Sequence, residues 1–228
     1  MPTVKAGYFN AKGDKVPSVT QVLGSLGFGK EALMFWAWKL GKEGKDFKAE
    51  RGSAADVGTL VHARIEAFLR NQPPYEPNGP EETELWPASQ NPFAGFLAWY
   101  DRNRFDLIAA EVPLVHEEYG YGGTLDAVGR TTEGEIVLYD WKTSGGIYGT
   151  NFMQAAAYKA LWNHKNPDHP IERAVVLHIP QAEKPKATAY GIKSGEFLDL
   201  FELFLHTLSL HIAQGSLEPA RFKVKEGK

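Results

Sequence analysis

Apolar residues recur at helical spacing over the first hundred residues, then alternate or cluster as in strands, then return to helical spacing. Residues 1–17 read as a short hairpin or extended lead-in, turned at Gly13-Asp14 and stopped by Pro17. Ser18 stands three residues before Gln21, a capping-box pattern. It predicts a helix carrying Val22, Leu23 and Leu26 and closed by Gly27 and Gly29. A second helix, from about Glu31 to Leu40, carries Met34, Phe35, Trp36 and Trp38 and ends at Gly41. After a charged stretch to Arg51, Ser53 is an N-cap signal for a helix from about Ala54 to Arg70. Val57, Leu60, Val61, Ile65, Phe68 and Leu69 recur along it. Prolines at 73, 74, 77, 80, 87 and 92 predict a long surface loop over 71–92, placed like a flap, before a short aromatic helix from Phe93 to about Arg104.

Three strands follow, Ile108–His116, Tyr121–Arg130 and Glu135–Trp141, broken at Gly120 and turned tightly at Glu133-Gly134. After Gly145-Gly146 come a helix over about 150–163, strands at 171–179 and 187–192, and a last helix over about 195–213. No internal repeat or low-complexity tract interrupts them. The class is α/β: a helix, a three-stranded antiparallel meander, a helix and a strand, with a helical N-terminal addition and a C-terminal helix. A chain of 228 residues suits a single domain, with an extension over 1–50, a core over 51–192 and a helix and tail over 193–228.

Composition narrows the chemistry. There are no cysteines, so disulfides, thiolate metal sites, cysteine nucleophiles and iron–sulfur clusters are excluded together. A metal here must sit on His and carboxylates, which favours hard cations. The net charge of −3 does not announce a nucleic-acid binder, but a local basic patch suffices for phosphate contact. No apolar run reaches the length of a membrane span, and the first residues lack the pattern of a secretion signal, so a cytoplasmic protein is expected.

Asp140-Trp141-Lys142 carries the first chemical signal. Residues two apart at the end of a strand point to one side, so a carboxylate that can hold a cation lies beside an ammonium that can meet a phosphate. The same spacing at Glu43–Lys45, Asp46–Lys48 and Glu226–Lys228 lies in charged, solvated segments. Only Asp140 follows a buried-strand run, Ile136-Val137-Leu138-Tyr139. The turn at Glu133-Gly134 brings the strand of Asp126 beside that of Asp140, and the two carboxylates could converge on one ion. His62 and Glu66 share a helix face, with Gly58 one turn earlier leaving room for another element to approach. Gln154 and Tyr158 share a face of the next helix. Each of these taken singly is as readily an ordinary surface or packing residue.

Their order resembles the PD-(D/E)XK nuclease superfamily, in its RecB-like branch: Gly58-Thr59…His62…Glu66, Gly123-Thr124-Leu125-Asp126, Asp140-Trp141-Lys142-Thr143-Ser144 and Gln154…Tyr158. The likeness spans about residues 50–180. With Pro17-Ser18-Val19-Thr20 and the Trp36/Trp38 helix it extends toward phage-encoded exonucleases and the mitochondrial genome maintenance exonuclease. It implies a restriction-endonuclease-like core. It implies Mg²⁺ or Mn²⁺ held by His62, Asp126, Asp140 and the Trp141 carbonyl. Glu66 and Glu111 would serve a second ion or orient the first, Lys142 the water and the transition state, and Gln154 and Tyr158 as positioning groups. Relatives with four cysteines hold an iron–sulfur cluster, so this chain falls in the cluster-free group. The implied partner is DNA, as single strands or duplex ends, with room for a recombination or replication protein.

The implied activity is a DNA exonuclease of phage or bacterial recombination, replication or repair. A structure-specific endonuclease shares the same site chemistry, and a catalytically inactive DNA-binding module is the reading from another class. Lys39, Lys48, Arg51, Arg64 and Lys159 are candidates for phosphate contact, and Tyr148 and Phe152 for stacking on bases.

Overall fold

The structure, a computed structural model, describes residues 7–27 and 30–214. The first six residues of the lead-in, Gly29 and the tail from 215 lie outside the described residues. A two-stranded hairpin, β1 (Tyr8–Phe9) and β2 (Lys15–Val16), precedes three helices, α1 (Val19–Gly24), α2 (Lys30–Lys42) and α3 (Phe47–Leu69). Then come α4 (Gly79–Tyr100), β3 (Phe105–His116), β4 (Tyr121–Thr131), β5 (Ile136–Lys142), α5 (Gly149–Lys165), β6 (Arg173–His178), β7 (Thr188–Ile192) and α6 (Phe197–Gln214). The five strands form one sheet in the order β3-β4-β5-β6-β7. The meander β3-β4-β5 is antiparallel, and α5 crosses over to make β6 parallel to β5. This is the α/β, restriction-endonuclease-like architecture.

Ser18 caps α1 with the reciprocal Gln21 contact that the spacing predicts. Two boundaries differ. α3 begins at Phe47, because Asp46 accepts a hydrogen bond from the Ala49 amide at 2.7 Å and caps the charged stretch into the helix. The predicted loop over 71–92 is mostly helix. Pro80 sits in the first turn of α4, where a missing amide costs nothing, while Pro87 and Pro92 lie inside it. Packing outweighs their helix-breaking tendency. Phe96 and Trp99 are buried against Val61, Ile65 and Trp141, and Pro92 is itself buried. Arg64 ties α3 to α4, its guanidinium 4.2 Å from the Trp86 and Phe93 rings and donating to Ser89 Oγ at 2.7 Å.

Both faces of the sheet are covered. Ile136 and Leu138 of β5 join the core under α5, α1 and α6, while Val137, Tyr139 and Trp141 join the core under α3 and α4. The run at 136–141 is buried on both sides, which is why it reads as continuous rather than alternating. Among the described residues no helix is long and apolar enough to cross a membrane.

One buried group makes the fold sensitive to acid. His116, at the end of β3, stacks on His164 of α5 at 4.1 Å between centroids and also faces Tyr119 and Tyr121. Burial, with His164, holds its pKa down at about 4 against the opposing pull of Glu118. An unfolded imidazole titrates near 6.5, so the unfolded chain binds the extra proton first. The stabilisation is complete above about pH 6.5 and is lost as pH falls toward about 4. The drop in melting temperature between pH 7 and pH 5 should therefore be smaller in His116→Gln than in the unsubstituted chain, as measured by calorimetry.

Candidate active site at the fork of two strands

Strands β4 and β5 pair from Arg130–Ile136 to Ala127–Tyr139 and no further. Beyond that point β4 stays beside β3 and β5 beside β6, so the two strands part. Where the ladder stops, the Trp141 amide donates to Asp126 Oδ2 at 2.7 Å. A side-chain carboxylate thus closes the fork. The alternation of β4 slips at the same place: Leu125 lies in the α5-side core and Ala127, two residues on, in the α3/α4-side core. Across from Asp126, the β3 register runs from Ala110 to Val112 around Glu111, whose φ is +48°. A non-glycine residue in that region costs about 1–3 kcal/mol and persists only where its surroundings hold it.

His62 reaches the fork from α3. Its Nδ1 is 3.5 Å from Asp126 Oδ1 and 3.9 Å from Glu111 Oε1. One ligand atom each from His62, Glu111 and Asp126 lie within 4.8 Å of one another. Asp140, in phase with Ile136 and Leu138, faces α5 and is 1% exposed. Its Oδ2 is 2.7 Å from Lys142 Nζ, while its Oδ1 accepts no hydrogen bond among the described residues. On α5, Gln154 Nε2 donates to the Tyr158 hydroxyl at 2.8 Å, and both are buried.

The electrostatics match a site short of positive charge. Burial, offset in part by Lys142 and reinforced by Asp126, pushes Asp140 up to about 6. Burial and then Asp126 push Glu111 up to about 7. Burial also works to raise Asp126, but His62, Lys142 and the Trp141 amide outweigh it and hold Asp126 below the usual carboxylate range. His62 and Lys142 are both raised, because neighbouring carboxylates outweigh burial. Tyr158 is raised well above the usual phenol range by burial, then by the Asp140 and Asp126 carboxylates. An orphaned buried carboxylate oxygen, three converging His and carboxylate ligands and the absence of thiols together fit a hard divalent cation.

Gly58 makes room, as its place one turn before His62 implies. A Cβ there would stand 2.9 Å from Thr143 Oγ1, so α3 lies against the segment that follows Lys142. Gly123 does the same for α5, where a Cβ would meet the Tyr158 ring at 2.6 Å. Glu66 is engaged by Arg70 at 2.9 Å, and Arg70 also donates to the Ala110 carbonyl at 2.7 Å. The pair braces β3 next to the strained Glu111. In the sequence Arg70 marks only the end of its helix, although its position four residues after Glu66 is a readable pairing signal. Tyr8, whose hydroxyl bonds Thr124 Oγ1 at 2.8 Å, carried no signal at all. The Trp141 backbone enters the site through its amide.

Arg64 and Lys159 are not free for phosphate. Arg64 is buried between α3 and α4, and Lys159 donates to the Ile171 carbonyl and lies over the Phe197 ring. Lys39, Lys48, Arg51 and Tyr148 are exposed, whereas Phe152 is partly buried beside Tyr190.

A family model described as the PD-(D/E)XK nuclease superfamily matches residues 35–224. The comparison with curated proteins returned no match. Among solved structures, a Eubacterium rectale protein named as a candidate exonuclease is 10% identical over 75% of this chain and 76% of that one, with a TM-score of 0.44. LHK-Exo in complex with dAMP is 15% identical over 75% of this chain and 92% of that one, with a TM-score of 0.36. Likenesses at this level carry no functional argument.

The close approach of α3 to Thr143 is testable without reference to activity. Gly58→Val should cost about 1–3 kcal/mol by overpacking. Thr143→Ala in the same chain should recover part of that loss, giving a non-zero coupling in a double-mutant cycle read by denaturant unfolding.

Proposed function

The chain belongs to the PD-(D/E)XK nuclease superfamily, and on that footing we propose that it is a divalent-metal-dependent DNA exonuclease serving phage or bacterial recombination, replication or repair. The observation that carries this reading is the buried Asp140. Its one oxygen faces Lys142 and its other has no protein partner, beside the converging His62, Glu111 and Asp126. A fully buried carboxylate with an orphaned oxygen is costly, and a bound cation relieves it.

In this reading His62, Asp126 and Asp140 hold Mg²⁺ or Mn²⁺, with Glu111 as a further ligand and the Trp141 carbonyl as a backbone one. When bound, the cation supplies a Lewis acid that makes a coordinated water nucleophilic near neutral pH and offsets charge on the phosphate. Lys142 keeps its proton between two carboxylates. Its ammonium therefore serves as a donor to the charge that develops on the phosphate oxygens. Gln154 and Tyr158 fix the α5 side of the cleft and keep water from Asp140. Glu66 acts through Arg70, holding β3 so that Glu111 turns inward. The site chemistry is common to both, and exonuclease action is favoured over endonuclease action only by the likeness of Pro17-Ser18-Val19-Thr20 and the Trp36/Trp38 helix to phage-encoded exonucleases.

With 5′- and 3′-labelled single-stranded, duplex and circular DNA in Mg²⁺ and in Mn²⁺, linear DNA should be degraded and circles spared. The released label gives the polarity. Lys142→Ala should lower the rate by about 10²–10³. Cleavage of circles would replace the exonuclease reading by the endonuclease one. Mn²⁺ at a hundred times its dissociation constant should stabilise the chain by about 2.7 kcal/mol, and Asp126→Ala should abolish that shift in a thermal melt.

A further inference from the structure

Helix α2 carries an aromatic face that the described part of the fold leaves largely exposed. It is attached through Leu40, which is buried, and through Trp36 one turn before it, which meets Phe47 at the start of α3 edge-on at 5.4 Å between centroids. On another side Met34, Phe35 and Trp38 are 69%, 64% and 58% exposed. Positions 34, 35 and 38 are neighbours on a helix surface, and the Phe35 and Trp38 rings lie 5.6 Å apart, tilted by 32°. Two lysines follow on the same stripe, Lys39 four residues after Phe35 and Lys42 four after Trp38. Both are exposed, and Lys42 Nζ lies 4.6 Å from the centre of the Trp38 ring. Residues 32–42 contain those two lysines and no acid, in a chain whose net charge is −3.

We propose that this face of α2 is a binding platform for single-stranded nucleic acid, with Phe35 and Trp38 stacking on bases and Lys39 and Lys42 meeting the flanking phosphates. Exposed rings interleaved with ammonium groups are complementary to unpaired bases strung on phosphates, and stacking needs no particular sequence. A duplex hides its base faces and offers the rings nothing. The platform is joined, through the Trp36–Phe47 contact, to the helix that carries His62. The α2–α3 contact is at Phe47 and His62 is on the same helix, fifteen residues or about 22 Å further along. A strand of several nucleotides could lie on α2 while its end reaches the fork. The inference deepens the nuclease reading and rests on it for the link to cleavage, but binding itself needs no cation and no turnover.

The test measures binding of the full chain to fluorescent oligothymidylate of thirty nucleotides in EDTA, by anisotropy, and cleavage of the same strand in Mn²⁺. Phe35→Ala/Trp38→Ala should weaken binding at least tenfold while leaving the melting temperature within about a degree, since both side chains are exposed. Phe35→Tyr/Trp38→Tyr should restore most of it, which a merely structural role would not do. Lys39→Ala should flatten the dependence of log K on log salt by about 0.7. Cleavage of a dinucleotide, too short to span α2 and the fork, should be unchanged in all three. Unaltered binding by the double alanine variant, with the unsubstituted chain cleaving normally, overturns the platform and leaves the nuclease reading intact. Neither binding nor cleavage by the unsubstituted chain overturns both. Loss of adhesion to anionic phosphatidylserine vesicles, or of self-association in sedimentation, with unchanged oligothymidylate binding, assigns the face to a membrane or to a second copy and overturns the proposal.

Discussion

The hydrogen bond from the Trp141 amide to Asp126 Oδ2, 2.7 Å long, is the contact on which the site depends. Strands that part leave unpaired backbone amides, and a buried unpaired amide is destabilising. Here one such amide is satisfied by the carboxylate that the site needs in place. Asp126 is thereby fixed in position and held ionised, with His62 against its other oxygen. The neighbouring features fit around this bridge: the slip in the alternation of β4, the positive φ of Glu111 opposite it, and the Glu66–Arg70 brace behind.

Burial sets the character of each ionisable group. Asp140 has dry surroundings and one close cation, so its pKa rises even with Lys142 at 2.7 Å. Asp126 has three favourable neighbours and its pKa falls. Two carboxylates one strand apart thus differ in the direction of their shifts. Burial, and then Asp126, raise both Asp140 and Glu111, so each resists ionising beside Asp126, and a divalent ion relieves that condition.

Much of this was legible in the sequence because the signals were local. The run Ile136–Tyr139 before Asp140 marked a buried strand ending in charge, and the order of motifs placed His62, Asp126, Asp140 and Lys142 on elements that do meet. The Gly58 approach was readable from its spacing to His62. What was not legible depended on tertiary packing. Six prolines argued for a loop over 71–92, yet the aromatic face of α4, packed on α3 and Trp141, holds a helix through Pro87 and Pro92. Arg64 looked like a surface cation until its ring partners Trp86 and Phe93 were in place. The strain at Glu111 and the Tyr8 contact to Thr124 join residues far apart in the chain, and no local pattern encodes either.

The most direct test of the site is a crystal structure of the Mn²⁺-soaked chain, with the ion located by its anomalous signal. A peak is expected at the fork within coordination distance of His62, Asp126 and Asp140, with the Asp140 oxygen that lacks a protein partner as one of its ligands. A peak elsewhere, or none at saturating Mn²⁺ with the Asp140–Lys142 pair unchanged, would contradict this assignment.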